Sequence, residues 1–270
     1  MANISQDFSD AAEQDLLRNI ALTAFGLAFD TAAAWEASHN MIGLRSQSLL
    51  CSRRLDSRTY FVEDSRYGIG KPGGTCKRSA SEQIKRARGI LEQTGVPLDE
   101  IRAEEVLTEK LAVARVDRET GAVHPEQVQD GRAMVRMSRQ SRGLPVWSSN
   151  LLLGLTEDEG IGFLQLHWPV LPEHVMHETQ RLAFRVKDGW QPPEHLQAKV
   201  ESVEAGVVHS PAVGFTMEIH PAIRVIYARE RHGGKAMLYL NRHGQLISLR
   251  RHVVGGEQEG RRQAPQPTRK

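Results

Sequence analysis

The chain has 270 residues, 40% hydrophobic and 25% charged, which is long and apolar enough to bury a core without metal or disulfide staples. These values exclude a disordered or fibrous chain, and a formal charge of +2 gives no strongly basic balance for nucleic-acid binding. The length fits two domains of moderate size.

The first fifteen residues are acidic where a secretory leader is basic, so a cytoplasmic location is expected. Export stands as the alternative, because Ile20–Phe29 is apolar and Ala32, Ala33 and Ala34 resemble a cleavage site. That apolar run is shorter than the roughly twenty residues a membrane span needs, and no membrane partner is expected. Cys51 and Cys76 fit either two thiols or one disulfide.

Taken in order, Ser9–Ser38 reads as a helix, with Ser9 or Asp10 as cap, Glu13 and Asp15 in its first turns and an alanine run to propagate it. Its crowded apolar residues call for partners on more than one side, so self-association through residues 9–38 is one expectation. Met41–Cys51 is a mixed stretch that can start a strand, Arg58–Val62 has strand composition, and Tyr67–Gly74 reads as a glycine-rich loop without the spacing of a phosphate cradle. Ser79–Thr94 carries a capping box from Ser79 to Glu82, an apolar stripe and a Gly95/Pro97 stop. A short helix is expected over Leu98–Glu105, a strand over Leu107–Asp117 and a loop over His124–Asp130.

Asp130–Pro169 then alternates as a β-meander: Ala133–Gln140, a turn at Gly143–Pro145, Val146–Leu155, an acidic turn, and Ile161–Trp168. Pro172–Arg185 has helical composition. Gln197–Val208, Met217–Ala228, Met237–Leu240 and Leu246–Arg250 read as strands of a second small sheet, and the chain from Gly255 onward reads as a disordered tail. The resulting class is α+β, with antiparallel sheets and helices packed on one face.

Chemistry is sparse in this pattern. His174 and His177 fall on one side of a helix, yet H-E-x-x-H is absent, and a zinc site requires three or four ligands. Ser148 and Ser149 lack the G-x-S-x-G elbow, and Glu104, Glu105 and Glu109 read as a solvated face. No catalytic residue, metal or cofactor is assigned. Trp147, Trp168 and Trp190 stand near turns, where large amphipathic rings serve as core anchors or recognition residues.

The run Arg136–Gln140, Gly143-Leu144-Pro145-Val146-Trp147-Ser148-Ser149-Asn150 and the acidic turn Glu157–Gly160 resembles the FTP and PepSY modules of metallopeptidase propeptides. The resemblance covers Ser79–Pro169, and Ala222–Leu249 is similar to a second, divergent copy. No peptidase domain follows in the sequence. The resemblance implies cystatin-like or PepSY-like α+β modules that bind, inhibit or assist the folding of another protein.

This divides the chain into 1–78, an N-terminal helical segment with short strands; 79–170, the PepSY-like helix and meander; 171–254, a second α+β module; and a basic tail, 255–270. The leading expectation is a non-catalytic accessory protein that contacts a protein partner through Gly143, Leu144, Pro145, Trp147 and Trp168. The alternatives are a structural or assembly subunit, and a metal-dependent hydrolase built on His174 and His177.

Overall fold

In the computed structural model, residues 11–29, 33–38, 40–54, 57–67, 76–194, 200–211, 217–228 and 235–247 are described. The first helix is shorter than its composition suggests. It spans Ala11–Thr23 (α1), and the chain leaves it at Gly26, whose φ of +70° lets Leu27 N–H turn back to the Ala21 carbonyl at 2.8 Å. Ala34–Ser38, expected to extend the helix, is instead a strand (β1) paired antiparallel with β2 (Met41–Ser46). Ladder bonding here overrides the helical preference of alanine.

β3 (Leu49–Arg54) and β4 (Thr59–Asp64) continue the antiparallel run. Leu17, Ile20 and Ala21 of α1 are buried within the chain, and Phe25 meets the Tyr60 ring edge-on at 5.8 Å. The apolar side of α1 therefore has partners inside its own fold.

α2 (Ala80–Gln93) starts at Ser79 with the expected capping box and ends before Gly95, at φ +73°. The short helix expected over Leu98–Glu105 is a single 3-10 turn, Leu98–Glu100, because β5 (Ile101–Val116) begins at once. Nor is His124–Asp130 a loop. It belongs to β6 (Val123–Ser141), each strand supplying ladder partners for the other, as in Lys110↔Asp130 and Val113↔Gln127. Pro125 is tolerated there because β6 has no second neighbour at that level among the described residues. β7 (Leu144–Leu155) and β8 (Ile161–His167) complete the meander, and α3 (Glu173–Lys187), β9 (Val200–Pro211), β10 (Met217–Ala228) and β11 (Lys235–Leu240) follow.

The fold is α+β, built on one large, mostly antiparallel sheet. Its order is β1-β2-β3-β4-β8-β7-β9-β10-β11, with β5 and β6 attached through β7. The separate second sheet expected at the end of the chain is thus a continuation of the first. A parallel contact of β7 with β9 at Val146↔Val207 makes it so, and β4 against β8 joins the N-terminal strands to the meander. One core joins α1, α2 and strands β2–β4 and β6–β8; α3 covers β9–β11 through Leu182, Ala205, Ile223 and Val225.

β6 pairs with β7 only from Met134 to Ser141, whereas its pairing with β5 runs on to Val116↔Val123. Residues 108–133 thus form a two-stranded ribbon beyond the sheet. Its turn is held by Asp117 Oδ1, which accepts the N–H groups of Glu119 at 2.8 Å and Thr120 at 3.1 Å. Cys51 and Cys76 are free and buried. No described helix is long and apolar enough to cross a membrane. The residues expected as loop at 68–74, as turn at His232–Gly234, as strand at 248–250 and as tail at 255–270 lie outside the described residues.

Candidate protein-contact surface

The turn and strand singled out by the sequence contain a bulge. On β7, Val146 faces Arg139 of β6 and Asn150 faces Ser138, so Trp147, Ser148 and Ser149 have no ladder partner on β6. Bulges re-aim side chains. Val146 packs with Val175 and Met176 of α3, and its neighbour Trp147 points to the opposite face of the sheet. Ser148 Oγ accepts the His209 backbone N–H at 2.8 Å, tying the bulge to β9.

On the face turned away from α3, Trp147 gathers groups from three other strands. Gly206, between the α3-facing Ala205 and Val207, lies under the indole: an added Cβ there would stand 2.8 Å from Trp147 Cη2 and 2.5 Å from the Pro145 carbonyl oxygen. The Arg224 guanidinium sits 4.9 Å from the Trp147 ring centroid, and the Tyr239 ring lies 5.3 Å away. Arg224 donates to Glu204 at 2.5 Å, and Glu204 also accepts from Arg102 at 2.7 Å, at the start of β5. Two buried donors of this patch, Trp147 Nε1 and Arg224 Nε, have no acceptor among the described residues. Met237, 51% exposed, borders Tyr239, whose hydroxyl approaches its sulfur at 3.2 Å.

The remaining residues of the expected contact site have different places. Gly143, at φ +74°, is exposed at the β6–β7 turn; Leu144 is half-buried against the Val146–Val175 cluster, and Pro145 is buried. Trp168 belongs to the core. It is 1% exposed, its Nε1 donates to Glu100 at 2.8 Å, and the Arg139 guanidinium lies 5.3 Å from its ring. An indole this large gains more from burial than from display once its N–H has a partner. It is therefore a structural anchor, not a contact residue.

Arg139, nearly as buried, donates to Glu100 at 2.9 Å and to the Pro169 carbonyl at 2.6 Å. Burial lowers its pKa from the ordinary arginine value, and the Glu100 carboxylate opposes that shift. These groups floor a cleft of about 440 Å³ rimmed by Arg58, Arg142 and Gly143. With its guanidinium already bound to Glu100 and Pro169, Arg139 braces the turn.

Among groups capable of chemistry, one chain of contacts stands out. Ser57 Oγ donates to Thr59 Oγ1 at 2.9 Å, Thr59 Oγ1 meets His167 Nδ1 at 2.7 Å, and His167 Nε2 meets His209 Nδ1 at 2.7 Å. The order is that of nucleophile, base and orienter. Burial, reinforced by His167 and Arg139, lowers the His209 pKa to about 3, so it stays neutral and offers no charge to support a protonated His167. The chain of contacts acts as a strap across β4, β8 and β9. His174 and His177 stand exposed in the first two turns of α3, with His177 3.1 Å from Glu173, and no three-ligand metal cluster occurs among the described residues. Glu104 and Glu105 pair with Arg88 and Arg136.

The local pattern around Gly143–Trp147 pointed to one part of this surface and missed Gly206, Arg224, Tyr239 and Glu204. These arrive from strands more than fifty residues away, and no local spacing in the sequence announces them.

No protein-family model matches the chain, and no curated protein resembles it in sequence. A solved structure of an uncharacterised protein from Eubacterium rectale ATCC 33656, determined at 1.45 Å resolution, is similar with a TM-score of 0.50 at 12% identity. The likeness covers 90% of this chain and 83% of that one, and it is a likeness of fold.

Proposed function

We propose that the chain is a non-catalytic accessory protein that acts by protein–protein contact, with the partner seated on the Trp147 face and along the β5–β6 ribbon. The Trp147–Arg224–Tyr239 patch carries this reading: tryptophan, tyrosine and arginine dominate the binding energy of protein interfaces, and here they converge on the sheet face that α3 leaves open. The ribbon supports it, since a two-stranded hairpin alone is only marginally stable in water and gains from being covered. β5, the strand that runs on into the ribbon, is joined to the patch at its sheet end through Arg102 and Glu204. The order of helix then antiparallel meander over Ala80–His167 supports the resemblance to FTP and PepSY modules. The same order over Glu173–Leu240 supports its reading as a divergent copy.

The test is affinity purification from the native host with the intact chain and with Trp147→Ala and Met237→Asp variants, whose folding is checked by circular dichroism. A protein recovered in stoichiometric amount by the intact chain, and lost at least tenfold with either folded variant, is the expected result. Equal recovery by all three chains, or none by the intact one, refutes the proposal.

A further inference from the structure

A second surface lies on the α3 side of the sheet. His174, His177, Arg181 and Arg185 follow one another at helical spacing along the outer side of α3, facing the turn after β11. That turn is built to hold its shape: Asn241 Oδ1 accepts the N–H groups of His243 at 2.9 Å and Gln245 at 3.0 Å, with Gly244 at φ +77°. It presents Arg242, which Glu178 contacts at 3.1 Å. Between helix and turn runs a groove of about 520 Å³, and two adjoining hollows that share Arg242 extend it past His243 to Trp190.

Several arginines elsewhere in the molecule are neutralised by close ion pairs. Arg45, Arg66, Arg88, Arg139 and Arg142 each have a carboxylate within 2.8 Å. Arg181 and Arg185 have none among the described residues, and Glu178 is the one carboxylate lining the groove of about 520 Å³. One helical turn separates the two arginines by about 6 Å along the axis. Alternate side chains of an extended strand are spaced about 6.8 Å apart.

We infer that this groove binds an extended acidic segment of a protein, with carboxylates at alternate positions on Arg181 and Arg185. A peptide can set an uncharged residue against Glu178, whereas a nucleic acid would bring an unbroken run of phosphates past it. The inference rests on the reading of the chain as a protein-binding module and adds a contact on the face opposite Trp147.

Fluorescence anisotropy with the full chain tests it. The probes are a labelled ten-residue peptide of alternating Glu and Ser, an all-Ser peptide and a ten-nucleotide single-stranded DNA. The Glu/Ser peptide is expected to bind in a salt-sensitive way, the all-Ser peptide to fail, and R181E/R185E to weaken binding at least tenfold. The milder R181Q/R185Q should fall between, and Trp147→Ala should leave peptide binding unchanged. Three results overturn the inference: no binding by the intact chain, equal binding by folded R181E/R185E, or tighter binding of the DNA at the same salt. Loss of the host partner with Trp147→Ala alongside unbound peptide would sink the groove and spare the first proposal.

Discussion

At the residue scale, two tryptophans of the same meander have opposite fates. Trp147 and Trp168 are equivalent by composition and by nearness to turns, but a bulge sends one to the open face while Glu100 and Arg139 enclose the other. The bulge was not legible, because Val146-Trp147-Ser148-Ser149-Asn150 reads as an unbroken strand and only pairing with Ser138 and Arg139 displaces it. The buried His209 gives a measurable consequence. Its folded pKa of about 3 lies well below the ordinary histidine value, so the unfolded chain binds the proton more readily. The stability it contributes is complete above about pH 6.5 and is lost as pH falls toward 3. From pH 7 to 5, urea unfolding of the intact chain should lose about 1–2 kcal/mol more than that of a His209→Gln variant. A variant with the same slope as the parent would refute this account of the strap.

Elements were legible where the determining contacts are local. α2 follows from its own residues: Ser79 N–H donates to Glu82 Oε2 at 2.9 Å, and the Ser79 hydroxyl accepts the Glu82 N–H at 3.4 Å. Ser79→Ala should therefore cost about 1 kcal/mol in chemical denaturation, with the helix content of the folded state unchanged. α1 and β6 show the converse. The alanines at 33–34 favour helix yet Ala34 pairs with Arg45, and His124–Asp130 has loop composition yet pairs along β5. In both places a partner strand supplied hydrogen bonds that local preference does not anticipate.

For the whole molecule, the class α+β was legible from the order of periodic segments, and the continuity of the sheet was not. It depends on β4 meeting β8 and β7 meeting β9, pairings between segments that the sequence presents as separate modules. Ile42, Leu44, Cys51, Tyr60 and Val62 share one core with Ala87, Ile90 and Leu91 of α2 and with Leu151, Leu164 and Leu166 of the meander. Residues 1–78 expressed alone should consequently give the circular dichroism of an unfolded chain, since they lose about half of the shared core and the β8 partner of β4. A cooperative thermal transition in that fragment would show instead that it folds on its own.

The ribbon between Thr108 and Ala133 also makes the molecule's reach adjustable. Removing or adding a matched pair of residues on each strand would move the Asp117–Gly121 tip by about 6–7 Å without changing which side chains face the core. Related chains could thus keep an identical sheet and engage partners at different distances, with the length of the arm acting as a ruler.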